Sequence, residues 1–334
     1  MQRLLNKAEN YVDEMLEGIY SAHPNQVRFI NDDLRCIVTT HKKPGKVGIA
    51  TGGGSGHLPL FLGYVGKGLL DGCCVGGVFQ SPSAMQMLEV TKEINSGAGV
   101  LYIYGNYGGD IMNFDMAKEM AEFEDIEVLQ VVAGEDVASS PKGRENKRRG
   151  VAGIFYVYKI AGGAADDMLS LSEVTRLAKK AADNVRTIGV ALTPCIVPEA
   201  GRANFEIKEG EIEIGMGIHG EPGIKTIPLK PVDEIVEEMM QQILEDLPYL
   251  EGDEVSVLIN GLGATPKEEL YIVYRKVAAV LSQKGIKVFN SYVGEFATSM
   301  EMAGMSISLL KLDAELKKYL SKACSTPFFI QEQL

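Results

Sequence analysis

Three residues in this chain join a reactive side chain to a glycine-rich setting. His57 closes the run TGGGSGH (51–57), Asp110 lies in IYGNYGGDIMNFD (103–115), and His219 lies in GMGIHGEPGIK (215–225). Glycine lets a ligand approach the backbone, and successive N–H groups there bind oxygen atoms, anionic or neutral. A phosphate-binding loop would end in lysine and serine or threonine, and this run ends in histidine. It also fails as a dinucleotide fingerprint, because the sixth residue from Gly52 is His57. A purely structural tight turn is the remaining alternative.

A neutral imidazole offers a lone pair near pH 7, so it serves as base, nucleophile or metal ligand. Two of the chain's 4 histidines occupy glycine-rich loops, where a satisfied core histidine is not expected. With one aspartate they would either ligate a metal or hold a small polar substrate. Asp110 has two readings of its own: a helix N-cap, or a general base at a strand's carboxyl end. His23 and His41 are taken as surface residues. RENKRRG (144–150) is either a solvated loop entering a helix or an interface for an acidic partner.

The elements that must position these residues alternate. KVGIAT (46–51), GVLYIY (99–104) and IEVLQVV (126–132) are short apolar runs rich in β-branched residues, with helix-like segments such as 112–125 between them. That alternation predicts an α/β fold with a mainly parallel sheet sandwiched by helices, binding its ligand beyond the strands' carboxyl ends. Two glycine-rich turns fall there, at 52–57 and 105–110. The second half differs: NFEIKEGEIEIG (204–215) alternates about Glu209-Gly210 and predicts a hairpin. Strands follow at 254–260, 286–293 and 305–312. A long helix begins near 266, with Thr265 as cap, Pro266 in first position and Glu268 three on from the cap. The expected division is 1–186, with the glycine turn and Asp110, and 187–334, a mixed-sheet α/β domain carrying His219.

Composition narrows the function classes. At 334 residues and 46% hydrophobic, the chain builds ordinary globular cores. A formal net charge of -12 argues against direct nucleic-acid binding. No apolar run approaches the roughly 20 residues that span a bilayer, and the start is an amphipathic helix, not a signal peptide. The 5 cysteines form no C-x-x-C pair, so reduced thiols and a cytoplasmic location are expected.

Thr51–His57, NYGGDIMNFD (106–115), RRGVAG (148–153), GIHGEPG (217–223), NGLGATP (260–266) and SMEMAGMSISLLK (299–311) occur together in this order. The set resembles the substrate-binding subunit of dihydroxyacetone kinases, the DhaK family, including its non-kinase coactivator paralogues (DhaQ-like). The resemblance spans nearly the whole chain. It implies that His219 bonds covalently to the carbonyl carbon of a short ketose as a hemiaminal, rejecting alcohols such as glycerol. It further implies that Asp110 accepts the proton of the hydroxyl to be phosphorylated and that His57 orients that oxygen. Gly53 and Gly54 would hold the other polar end, with Ser55 and Gly105 in the same lining. No metal or cofactor is implied in this chain. The phosphoryl group would come from ATP, or from ADP recharged by the phosphotransferase system, on a separate nucleotide-binding kinase subunit (DhaL-like). A homodimer is expected.

Two positions depart from the family pattern. Leu58 stands where an acid is usual, and Gly105 where a lysine is usual, which would remove a charge and open space for a larger ketose. These departures support the alternative reading, a dihydroxyacetone sensor acting as coactivator with a TetR-like protein. His57 and Asp110 support the kinase subunit, since a sensor needs only His219.

Overall fold

The computed structural model describes residues 2–334. Helix α1 (Tyr11–Ala22) precedes strands β1 (Val27–Ile30), β2 (Asp33–Thr39), β3 (Gly48–Ser55) and β4 (Gly72–Val78). Helix α2 (Ala84–Ile94), β5 (Val100–Gly105), α3 (Gly108–Glu122) and β6 (Val128–Ala133) complete a six-stranded sheet of order β1-β2-β4-β3-β5-β6. Its β4, β3, β5 and β6 run parallel; β1 and β2 join antiparallel at one edge. Parallel strands buried on both faces explain the near-continuous apolar runs.

Helices α4 (Ile154–Asp166) and α5 (Leu171–Asn184) follow, then β7 (Val185–Ala191), β8 (Glu211–Ile214) and β9 (Lys225–Pro228). After α6 (Val232–Asp246) come β10 (Glu254–Gly261), α7 (Lys267–Gln283), β11 (Lys287–Gly294) and β12 (Gly304–Leu312). The second sheet has order β11-β10-β12-β7-β8-β9 and is mixed: only β10 and β11 are parallel. The tail forms α8 (Ala314–Leu320) and a ribbon of β13 (Cys324–Ser325) with β14 (Ile330–Gln331). It returns to the first half, where α8 packs on α4 and Thr326 donates to the Gly63 carbonyl at 2.8 Å.

The layers alternate. In β5, Leu101 and Ile103 face the central core with α4 and α5, while Tyr102 and Tyr104 face α2 and α3. In β10, Leu258 faces that same central core, and Val255, Val257 and Ile259 face α6 and α7. Helix α4 lies between the two sheets, and Ile154 through Ala165 are all buried, Lys159 included, whose ammonium donates to the Lys322 carbonyl.

Three expectations are corrected. The hairpin is not formed within 204–215: Gly210 does turn with φ +80°, but β8 pairs with β7 and β9. The true hairpin is β8–β9, and its connecting loop carries His219. Thr265 does not cap α7; its hydroxyl donates to the Gly304 carbonyl and accepts from the Gly304 N–H at 2.8 Å. Within 144–150, residues 144–147 are an exposed loop as expected, but the two arginines that follow are not free. Arg148 is buried, with Nη1 donating to Asp246 at 2.9 Å and Nε to the Ser140 carbonyl at 2.9 Å. Among the described residues, no helix is long and apolar enough to cross a membrane.

Candidate functional site

Strands β3 and β5 pair in parallel through their first three residues, so their carboxyl ends leave the same edge of the sheet. The β3–β4 ladder slips between Gly53 and Ser55, leaving Gly54 outside the pairing. A Cβ on Gly54 would lie 2.7 Å from the Gln80 nitrogen and 2.8 Å from the Phe79 Cα, so only glycine fits. Gly53 is likewise covered, by the ring of Phe61. The Ser55 hydroxyl donates to the Gly76 carbonyl at 2.8 Å and ties the turn to β4, so it is committed to the scaffold.

His57 is 1% exposed. A segment of the second half fixes it: the Thr298 carbonyl is 2.8 Å from Nδ1, the Thr298 N–H donates to the His57 carbonyl, and the Met300 N–H donates to the Gly56 carbonyl. A carbonyl only accepts, so Nδ1 carries the hydrogen and Nε2 keeps its lone pair. That Nε2 is buried with no partner. Phe79 stacks on the ring at 4.9 Å. Burial, then the nearby His219, lowers the His57 pKa to about 3.

Asp110 is the third residue of α3, which Tyr107 caps without a side-chain bond, so the aspartate is not an N-cap. It is 5% exposed, and its Oδ1 has no partner. Burial pushes its carboxyl up from the ordinary value, against a hydrogen bond from Ser81 and the charge of His219. An unpartnered buried acceptor is costly, and such atoms collect where a ligand belongs.

The β8–β9 loop brings His219 to this place. Its ring lies 4.7 Å from that of His57, 4.7 Å from Tyr107 and 5.3 Å from Phe79, nearly perpendicular to each. Glu221 orients it. One carboxylate oxygen is 3.0 Å from His219 Nδ1, and the other accepts the His219 N–H at 3.0 Å. Burial alone would raise Glu221, but the hydrogen bond and charge of His219, helped by Arg149, bring it down to about 2. With Nδ1–H donated to a carboxylate, His219 Nε2 holds the free lone pair.

The structure therefore gathers His57, Asp110 and His219 from three glycine-rich stretches. Their open valences are two acceptors and a nucleophilic nitrogen, complementary to a molecule with hydroxyl donors and an electrophilic carbonyl. Among the described residues, no three His, Cys, Asp or Glu side chains stand close enough to hold a metal ion. Gly105 ends β5, but its loss of a side chain does not open space: the Tyr107 ring covers it, 2.9 Å from where a Cβ would stand. Glu221 and Arg149 are site residues that the sequence reading left out. The only signal for Glu221 was a carboxylate two residues after the histidine, a spacing without a periodic signature.

Comparison with known proteins shows the family. Residues 17–328 match the Dak1 domain. The chain is 46% identical over 330 residues to the dihydroxyacetone-binding subunit DhaK of PTS-dependent dihydroxyacetone kinase 2 from Listeria innocua, covering 98% of this chain and 99% of that one. It is 38% identical to the L-erythrulose kinase of Pectobacterium atrosepticum, covering 98% of this chain and 56% of that protein. Among solved structures, the dihydroxyacetone kinase operon co-activator Dha-DhaQ superposes with a TM-score of 0.90 at 30% identity, covering 98% of this chain and 100% of that one.

Proposed function

The chain belongs to the DhaK family of Dak1-domain proteins, which includes kinase subunits and a co-activator, and on that premise we propose that it binds dihydroxyacetone or a similar short ketose covalently on His219 and presents its hydroxyl to a separate nucleotide-carrying subunit for phosphorylation. The observation that carries this reading is the pair of buried, unpartnered acceptors beside His219, namely His57 Nε2 and Asp110 Oδ1. A site meant only to anchor a ketone has no use for both.

The His219 Nε2 lone pair bonds to the ketose carbonyl carbon. The C=O π pair moves to the oxygen, which takes up a proton, and loss of the Nδ1 proton leaves a neutral ring. Glu221 stabilises the intervening imidazolium. A three-carbon ketose buries little surface, so the covalent bond supplies affinity and fixes orientation. His57 Nε2 accepts a hydrogen bond from the reacting hydroxyl. Asp110 takes that hydroxyl's proton as the oxygen attacks phosphorus.

Dihydroxyacetone labelled with carbon-13 at its carbonyl tests the adduct. The carbonyl resonance is expected to move to the tetrahedral region on binding, and His219→Ala is expected to abolish that change. A carbonyl resonance unchanged in saturated wild-type protein would refute the covalent step. A second reading, a ketose-sensing coactivator, is favoured by Gly105, where the neutral Tyr107 ring stands in place of a cation. Adding a nucleotide-carrying kinase subunit separates the two: phosphorylated ketose supports the first, and tight ketose binding without product supports the second.

A further inference from the structure

We propose that Arg149 is a positioning residue: acting across the two halves of the molecule, it fixes Glu221 and through it the tautomer in which His219 is nucleophilic. The proposal rests on the reading of His219 as the ketose-bonding residue. Arg149 belongs to the loop before α4, packed with the first sheet, whereas Glu221 and His219 belong to the β8–β9 loop of the second. The guanidinium is itself held on two sides. Its Nε lies 3.0 Å and its Nη2 2.9 Å from Asp136 just beyond β6, and its Nη2 also donates to the Gly215 carbonyl at 2.8 Å. The remaining Nη1 lies 3.9 Å from the Glu221 carboxylate.

The path between them is built into the backbone. A Cβ on Gly217 would stand 2.1 Å from a Glu221 oxygen and 2.5 Å from Arg149 Nη1. Gly217 is therefore the gap through which cation and carboxylate face each other, and any side chain there would separate them. The Arg149 side chain is 12% exposed and that of Glu221 31%, so the attraction is only partly screened by solvent. Removing the cation leaves Glu221 facing buried Asp136 with no intervening positive charge. Repelled by Asp136 and no longer drawn toward the guanidinium, the Glu221 carboxylate loses its fixed place against Nδ1, and with that geometry goes the preference for a bare Nε2. This arrangement resembles the way outer groups orient a reactive histidine through its far nitrogen. It also makes the nucleophile depend on contact between the halves.

Nitrogen-15 spectra of the histidines in the free protein test this without any ketose. Wild-type His219 is expected to show a protonated Nδ1 and a bare Nε2. Arg149→Met is expected to mix the two tautomers and to raise the ketose dissociation constant on the order of tenfold, the worth of one interaction with a charged group. Because His57 and Asp110 are untouched, KM is expected to rise while kcat changes little wherever phosphoryl transfer is assayed. Arg149→Lys, which keeps the charge, is expected to restore part of the loss. If Arg149→Met does not fold, Arg149→Gln, which keeps a hydrogen-bond donor without charge, is read in the same two ways. Wild-type tautomer and affinity in a folded neutral variant would overturn the proposal. Absence of a tetrahedral adduct in the wild type would instead remove the ketose reading, leaving the nitrogen spectra to judge Arg149 alone.

Discussion

Two imidazoles stand in ring contact here, and their neighbours give them different tasks. His219 faces a carboxylate at Nδ1, so attack through Nε2 creates a cation that Glu221 is placed to stabilise. His57 faces a carbonyl, which orients the ring but offers no full charge to balance a proton. Burial and the neighbouring His219 hold His57 neutral, with a pKa of about 3. The backbone around it supports the same end: Phe61, Phe79 and Met300 all have positive φ, 67°, 58° and 53°, although none is glycine. Such conformations persist only where surrounding packing over-determines them. His57 is therefore expected not to titrate between pH 8 and pH 5 when its ring carbons are followed by NMR. A midpoint for His57 near 6 would mean that water reaches the ring and that the neutral-acceptor role is wrong.

At the scale of elements, the bulge at the end of β3 decides where His57 points. Gly54→Ala would press a methyl group against backbone atoms of Phe79 and Gln80, which cannot move as a side chain end can. The expected cost is about 1–3 kcal/mol, the range for overpacking a tight interior. Phe79 is also expected to shift off His57, so ketose affinity falls along with stability in a urea titration; unchanged affinity would mean that the turn tolerates slack. This bulge was half legible. Its glycines marked a close approach, but not the partner backbone, which comes from the end of β4. Strands β3, β5, β6, β10, β11 and β12 were legible because each is a bounded apolar run. The β8–β9 pairing was not, since alternation in 211–214 tells which residues face inward and not which strand lies alongside. Arg148 and Arg149 read as a solvated run because a local sequence cannot show Asp246 and Asp136 meeting them. His57, Asp110 and His219 stood out by their glycine surroundings, whereas Glu221 and Arg149, 72 positions apart in sequence, meet only in the fold.

Across the whole molecule, the two sheets are joined where β6 runs out toward β7. The Thr187 N–H donates to the Glu135 carbonyl at 2.9 Å, and the Val137 N–H to the Thr187 carbonyl at 3.0 Å. The Glu135 side chain is sealed into this junction, 1% exposed, with Oε1 accepting the Val151 N–H at 2.8 Å and Oε2 unpartnered. Burial raises its pKa to about 7; the amides of Val151 and Gly153 pull it down, and adjacent Asp136 pushes it up. The folded state thus binds this proton more tightly than the unfolded chain, whose glutamate titrates near 4.3. Stability from this group is complete below about pH 4, falls as pH climbs, and is spent above about pH 7, a total of roughly 3 kcal/mol. Glu135→Gln cannot titrate. Asp136, raised to about 6, titrates in both proteins and largely cancels in their difference. The stability of the glutamine variant relative to wild type is therefore expected to rise by roughly 3 kcal/mol between pH 4.5 and pH 7.5 in urea unfolding. Parallel stability curves would show that Glu135 is already ionised in the fold, and that the junction between the sheets admits water or a cation to balance it.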